Sequence, residues 1–435
     1  VDDGEAVGLG EEGTSHATDI VANHPTQADG FAVARVKKRR QSRRLGVRMD
    51  AHDGKAVGLE LECSRTTAKP SAWKGGGTAL PWPVSATAEP SAWDFITAGT
   101  CTMQYTKLGR TGVDVSRICL GTMMFGGQTN EADSIKIIHK SLEAGVNFID
   151  TANIYNKGES EVVVGKALAG KRHEVVLATK GRQPMGEGPN SSGASRLHLM
   201  RELDASLKRM GTDFVDLYYV HTPDYETPID ETLRACDDMV RQGKVHYLAC
   251  SNFRAWRVCE ALWTSDKLGL DRFVCVQPLY NIVNRDIEVE LLPLCQQHKL
   301  GVVSYSPLAR GILTGKYKPG QPFPEGSRAA RNDPRMQQAE LREASFEVAQ
   351  QITGYCQKKG VATTQYSLAW CLANPILTSV ILGPRTIEQY DDNMGCLDVE
   401  ITDEDEAFID SLVPPGEHSG KGFQDTAYPI TGRGR

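Results

Sequence analysis

The sequence predicts an α/β protein, a (β/α)8 TIM barrel, and three observations carry that prediction. From residue 104 onward, short apolar runs alternate with amphipathic stretches, the rhythm of βαβ units and a parallel sheet. Eight such runs occur, the number at which a parallel sheet closes on itself. No strand–Gly-x-Gly-x-x-Gly–helix unit lies among them, so an open doubly wound sheet, the alternative fold, lacks its phosphate-binding turn.

Taken in order, Tyr105–Leu108 and Val113–Val115 flank Gly-Arg-Thr-Gly and read as a short N-terminal β-hairpin. Strands are expected at Ile118–Leu120, Phe148–Thr151, Val175–Thr179, Phe214–Val220, Val245–Cys250, Val274–Gln277, Val302–Tyr305 and Ser379–Leu382. Helices between them are expected at Glu131–Ala144, Ser160–Leu168, Ser195–Met210, Ile229–Gln242, Glu288–His298 and Thr363–Leu372, among others, because apolar residues recur there at helical spacing. The longest gap separates the seventh and eighth strands. It opens with a Pro/Gly/Arg-rich loop, Ala309–Pro334, before helices resume.

Residues 1–102 are unlike the rest. They are rich in Gly, Ala, Ser, Thr and Pro, with large aliphatic residues thinly spread, and show no sustained period. Such a segment buries too little apolar surface to offset its ordering entropy, so a disordered extension of no evident function is expected. Gly8-Leu9-Gly10-Glu11-Glu12-Gly13 matches a dinucleotide fingerprint by spacing alone, but no strand precedes it and two glutamates would repel a pyrophosphate. The basic run Lys37-Lys38-Arg39-Arg40 reads as a solvated charge run. The globular region, 103–435, begins cleanly at Met103, which is expected to be the natural start.

Composition narrows the function classes. With 24% charged and 40% hydrophobic residues and a formal net charge of -6, the chain gives no electrostatic reason to expect nucleic acid or an anionic membrane as partner. No apolar run approaches bilayer length, and no secretory signal is visible. Eleven cysteines, with no Cys-x-x-Cys pair, fit buried thiols in a reducing cytoplasmic setting better than disulfides or a metal site.

Reactive groups in such barrels cluster where strands end at the C-terminal face. The second strand leads to Asp150 and then Tyr155, the third ends at Lys180, and the fourth at His221. These four residue types make sense together. A phenol is a poor proton donor at neutral pH, and a nearby ammonium lowers its pKa by favouring phenolate. Asp150 would hold Lys180 charged, His221 would hydrogen-bond a carbonyl oxygen, and Tyr155 would exchange a proton with that oxygen. Alone, each has a plainer reading as a structural strand-end residue or half-buried aromatic. Together at matching strand ends they point to catalysis.

Phe148-Ile149-Asp150-Thr151-Ala152-x-x-Tyr155, with Gly158-x-Ser160-Glu161, resembles the catalytic signature of the aldo-keto reductase superfamily. Further matches lie at Cys250-Ser251-Asn252-Phe253, Val276-Gln277-Pro278-Leu279-Tyr280-Asn281, Tyr305-Ser306-Pro307-Leu308, Gly311-x-Leu313-Thr314-Gly315-Lys316-Tyr317 and Gly383-x-Arg385-Thr386. The long seventh loop resembles the branch holding aryl-alcohol-type reductases and potassium-channel β subunits.

The resemblance implies a tetrad of Asp150, Tyr155, Lys180 and His221 and an NADP (NADPH) cofactor. Ser251, Asn252 and Gln277 would hold the nicotinamide carboxamide, and Tyr305 would stack on its ring. Ser306, Leu308 and Lys316 would bind the pyrophosphate. Gly383, Arg385, Gln389 and Asn393 would surround the adenosine end, with Thr122, Met123 and Asp150 as further contacts. Arg385 argues for NADP, since a guanidinium suits a 2′-phosphate. Met123, Met124 and Phe125 are expected either to line an apolar pocket or to belong to the core. The function implied is reversible reduction of aldehydes or ketones to alcohols, by a monomer or weak homo-oligomer that takes small carbonyl or alcohol substrates. The alternative is an NADP-sensing regulatory subunit with little turnover.

Overall fold

The computed structural model describes residues 103–420 and, upstream, the backbone of Thr18–Ala22, Ala32–Val36, Gly46–Val47 and Leu61–Glu62. These four segments form two antiparallel pairs, 18–22 with 32–36 and 46–47 with 61–62. They belong to the first of two units into which the chain divides, Val1–Ser91 and Ala92–Arg435. The disorder expected over 1–102 otherwise concerns residues outside those described.

The second unit is a closed parallel barrel of eight strands. They are β1 (Ile118–Gly121), β2 (Phe148–Asp150), β3 (Val176–Gly181), β4 (Val215–Val220), β5 (Val245–Ser251), β6 (Phe273–Gln277), β7 (Gly301–Ser304) and β8 (Ser379–Leu382). Each follows its predecessor around the ring, and β8 closes on β1 through Leu382 opposite Leu120. Every expected strand is present, β8 with the expected bounds and the others with ends that differ by a residue or two. Around them run α1 (Glu131–Glu143), α2 (Glu159–Ala167), α3 (Arg196–Met210), α4 (Ile229–Arg241), α5 (Ala255–Leu268) and α6 (Leu291–His298). The long seventh connection carries α7 (Pro334–Ala339), α8 (Glu343–Lys359) and α9 (Thr363–Ala373), and α10 (Ile387–Met394) and α11 (Asp403–Leu412) follow β8.

Local chemistry sets the helix ends. Asn130 accepts the Asp133 amide at the start of α1, Ser195 that of His198 at α3, and Thr386 that of Gln389 at α10, each satisfying an otherwise unpaired N–H. α3 stops at Gly211, whose φ of 63° is cheap only without a Cβ.

Strand side chains alternate between two apolar layers. Outward residues such as Ile118, Ile149, Leu177, Val220 and Val276 pack beneath the helices. Inward residues Cys119, Phe148, Ala178, Leu217, Tyr219, Ala249, Cys275 and Val303 fill the barrel. The expected hairpin pairs Tyr105–Lys107 with Asp114–Ser116 and adds Leu108 and Val115 to that inner layer. Its turn lies hard against the barrel floor, where a Cβ on Gly109 would come within 2.4 Å of the Gly301 nitrogen. With the floor plugged, the opposite rim is the place for chemistry.

Candidate active site

Two residues beyond the inner apolar layer, the same inward parity falls on polar groups. Phe148 leads to Asp150, Ala178 to Lys180, Tyr219 to His221, Ala249 to Ser251, Cys275 to Gln277 and Val303 to Tyr305. Strand alternation delivers Asp150, Lys180, Ser251 and Gln277 to one rim, and His221 and Tyr305 follow directly on the ends of β4 and β7.

At its centre the Lys180 ammonium, fully buried, donates to Asp150 Oδ1 at 2.5 Å, to the Thr151 carbonyl at 2.8 Å and to the Tyr155 hydroxyl at 3.1 Å. Asp150 Oδ2 accepts from Gln277 Nε2 at 2.8 Å. Burial alone would lower the Lys180 pKa, but Asp150 and Tyr155 more than offset it and the net shift is upward. Lys180 is therefore a fixed cation.

Tyr155 differs from the sequence expectation in its electrostatics. It is half-buried by exposed area, yet loss of water around the phenol dominates and raises its pKa, with Lys180 pulling in the opposite direction. The expected lowering is thus outweighed, because desolvation of the ring exceeds the pull of Lys180 and the smaller one of Arg310. His221 lies edge-on to Tyr155, ring centroids 6.0 Å apart. Its pKa falls well below 6.5 through burial first and then the charges of Lys180 and Arg182, and its Nδ1 is buried without a hydrogen-bond partner.

The segment that carries Tyr155 turns sharply, with Asn156, Lys157 and Gly158 all at positive φ. Two bonds from α3 brace it. Glu202 Oε2 accepts from Asn153 Nδ2 at 3.1 Å, and Arg209 Nε donates to the buried Glu161 at 2.6 Å. Glu161 also accepts from Thr179, next to Lys180, at 2.5 Å. A Cβ on Gly158 would lie 2.7 Å from Arg209 Cδ, so the brace fits against a residue without a side chain.

The residues expected at a nicotinamide form one network. Asn252, held at a φ of 61°, donates from Nδ2 to the His221 carbonyl and to Ser251 Oγ, each at 3.0 Å. Its Oδ1 accepts from the Tyr305 hydroxyl at 2.7 Å, and Ser251 donates to the Gln277 carbonyl at 2.8 Å. Thr122 sits behind this group, bonded to the Asp150 carbonyl at 3.1 Å and to Ser160 at 2.8 Å. Met123 is 37% exposed, but Met124 and Phe125 are buried, Phe125 within the outer core. Of the two expectations for this segment, the core role fits Met124 and Phe125, and only Met123 is left exposed to line a pocket.

Along the seventh loop the backbone is left-handed at Ser306, Ala309, Arg310 and Gly311, and Leu308 is half-buried. Gly383 leaves β8 beside β1, with the Gly121 carbonyl as nearest neighbour to a built Cβ at 3.9 Å. Gln389 accepts the Arg385 amide at 2.9 Å, Thr129 donates to the Arg385 carbonyl at 3.0 Å, and Asn393 is buried at the end of α10. Lys316 has a lowered pKa, from burial first and then from Arg385, Arg328 and Arg331. Lys316 thus feels three further cations, of which Arg328 is paired with Asp333 at 3.5 Å, and a cluster with this excess of positive charge favours a bound anion. Arg328 and Arg331 were not singled out in the sequence; the one signal for them was the arginine content of their loop. Among the described residues no group of three or more His, Cys, Asp or Glu is placed to hold a metal.

Against known proteins, the model of the Aldo/keto reductase family matches residues 117–414. The chain is 39% identical over 333 residues to an uncharacterized oxidoreductase of Bacillus subtilis (strain 168), covering 74% of this chain and 99% of that protein. It is 36% identical to a probable voltage-gated potassium channel subunit beta of Oryza sativa subsp. japonica, over 71% of this chain and 97% of that protein. With the versiconal hemiacetal acetate reductase of Aspergillus parasiticus it shares 30% identity, over 73% of this chain and all of the relative.

Proposed function

The chain belongs to the aldo/keto reductase family, and on that premise we propose that it is an NADP-dependent oxidoreductase that reduces aldehydes or ketones to alcohols, reversibly, with Tyr155 as general acid and base. The observation that carries this reading is the bond between the Lys180 ammonium and the Tyr155 hydroxyl, anchored from behind by Asp150.

A phenol with a raised pKa is fully protonated at neutral pH and can give its proton to a carbonyl oxygen. As the proton leaves, negative charge grows on the Tyr155 oxygen 3.1 Å from a fixed ammonium, which stabilises that charge where little water competes. His221 stays neutral, so its ring N–H can donate to the same carbonyl oxygen without carrying a competing charge. NADPH, when bound, supplies the hydride. Ser251, Asn252, Gln277 and Tyr305 would hold the nicotinamide end. Ser306, Leu308 and Lys316 would hold the pyrophosphate, and Gly383, Arg385, Gln389, Asn393 and Arg328 the adenosine end. The four-cation cluster fits a ligand with a third phosphate.

The curated name of the Aspergillus relative supports reduction as the direction of use. The channel-subunit name of the rice relative favours a second reading, an NADP-sensing subunit with little turnover. No described helix is long and apolar enough to cross a membrane, and the nine described cysteines are free, which suits a reducing cytoplasmic setting.

The test is NADPH oxidation by the purified chain against a panel of aldehydes and ketones, beside Tyr155→Phe. The variant is expected to lose turnover by about 10²-fold or more while binding NADPH with unchanged affinity. Equal turnover in both proteins would exclude Tyr155 as the donor. NADPH binding with no turnover on any carbonyl would favour the regulatory reading.

A further inference from the structure

One cation near the reacting groups has no assignment in the reading above. Arg310 lies in the turn after β7, a few residues beyond Tyr305, and its side chain is only 8% exposed. Its Nε donates at 3.0 Å to Glu340, which is itself fully buried and leaves its second oxygen without a partner. Among the described residues no group pairs with the terminal nitrogens Nη1 and Nη2, and they are not sealed from solvent. The guanidinium is therefore gripped by one edge while its two-nitrogen fork is left open. Ala309 and Arg310 hold φ values of 46° and 52°, a strained conformation for residues with a Cβ that persists where its surroundings impose it. A guanidinium fixed along one edge by a buried carboxylate, with its fork open to solvent, is preorganised to exchange water for an anion.

We propose that Arg310 receives a carboxylate carried by the carbonyl substrate, so that the preferred substrates are aldehydes or ketones bearing an acidic group. A planar fork matches a carboxylate with two parallel hydrogen bonds. Its position suits the reacting end of the site: it lies in the turn that follows the rim end of β7 and Tyr305, and in keeping with that its charge acts on the hydroxyls of both Tyr155 and Tyr305, as that of Arg335 does on Tyr305. The cations that act on Lys316 are instead Arg385, Arg328 and Arg331. The two groups adjoin through Arg328, which feels Arg310. The cofactor pyrophosphate is thus the other source of the same oxyanion chemistry, and the experiment must separate the two. The proposal rests on the carbonyl-reductase reading.

The full chain and Arg310→Gln are compared on 4-carboxybenzaldehyde and 4-methylbenzaldehyde, with NADPH affinity read from quenching of protein fluorescence. The wild type is expected to favour the carboxylated aldehyde in kcat/KM by about tenfold or more. In the variant that preference should vanish, mainly through KM, with the neutral aldehyde and NADPH affinity changed less than about twofold. Arg310→Lys, which keeps the charge without the fork, should recover part of the preference. Equal losses on both aldehydes, or weakened NADPH binding with the substrate preference intact, would assign Arg310 to the cofactor and overturn the proposal. Should Arg310→Gln fail to fold, the wild-type comparison decides: reduction of the neutral aldehyde with no gain from the carboxylate sinks this proposal alone, whereas NADPH binding with reduction of neither sinks the reductase reading too.

Discussion

At Tyr155 two opposed effects meet on one oxygen, and their balance fixes how rate should follow pH. Loss of water raises the phenol pKa above its usual value near 10, and Lys180 only partly restores it. Carbonyl reduction needs the protonated phenol, so kcat/KM should stay flat through neutral pH and fall only in the strongly alkaline range. Alcohol oxidation needs phenolate and should rise with pH over the same range. His221 is held well below 6.5, so neither direction should show a step near that pH. A pH–rate profile with a clear inflection near 6.5 that vanishes in His221→Gln would contradict this account. At the far end of the site, Arg385→Ala should weaken NADPH by about tenfold, or about 1.4 kcal/mol, and NADH by less than twofold. The effect is expected to stay moderate because the charges of Arg328, Arg331 and Lys316 would remain beside the phosphates. Isothermal titration with both cofactors measures it, and equal losses would remove the 2′-phosphate role.

Among the elements, α3 and α11 show how helices hold the barrel's working parts. α3 is capped by Ser195 and Gly211 and grips the Tyr155 segment at both ends, through Glu202 to Asn153 and Arg209 to Glu161. α11 opens with a reciprocal capping box between Thr402 and Asp405. Asp405 is buried, which by itself would raise its pKa. Its bonds to Lys359, Thr402 and Tyr355 more than reverse that and hold it at about 2. A carboxyl depressed in the folded state stabilises the fold fully above its unfolded pKa, about 3.9. That stability is lost as pH falls through its folded pKa. Asp405→Asn should therefore cost about 1–2 kcal/mol at pH 7. The gap between variant and wild type in urea unfolding should narrow between about pH 4 and pH 2. A gap independent of pH across that window would mean that the Asp405 charge does not act through these contacts.

For the whole molecule, the rim is assembled by the barrel alone: every residue placed at the site lies between Thr122 and Asn393, within the second unit. Removing residues 1–102 should leave kcat and KM unchanged within about twofold, a difference of about 0.4 kcal/mol. A large loss in steady-state assays of the shortened chain would show that the upstream segment contributes to the site. The eight strands and the positions of Asp150, Lys180 and His221 were legible because strand alternation and strand-end placement are local properties, written in consecutive residues. Tyr155 was legible by its motif, since its segment has no period of its own. α5 carries its mark poorly: Trp256 and Trp263 are exposed on it, so composition gives little sense of which face is buried. Arg310, Arg328 and Arg331 were seen only as a loop rich in arginine, because a loop has no repeat that says where each side chain points. Which of Met123, Met124 and Phe125 would pack and which would stay exposed was open in the sequence for the same reason. Sequence by itself determined the order of elements, the closed sheet and which residue types reach its rim. Tertiary structure decided the sign of the Tyr155 shift and the gathering of distant cations, because both depend on how much water is excluded and on charges brought together from far along the chain.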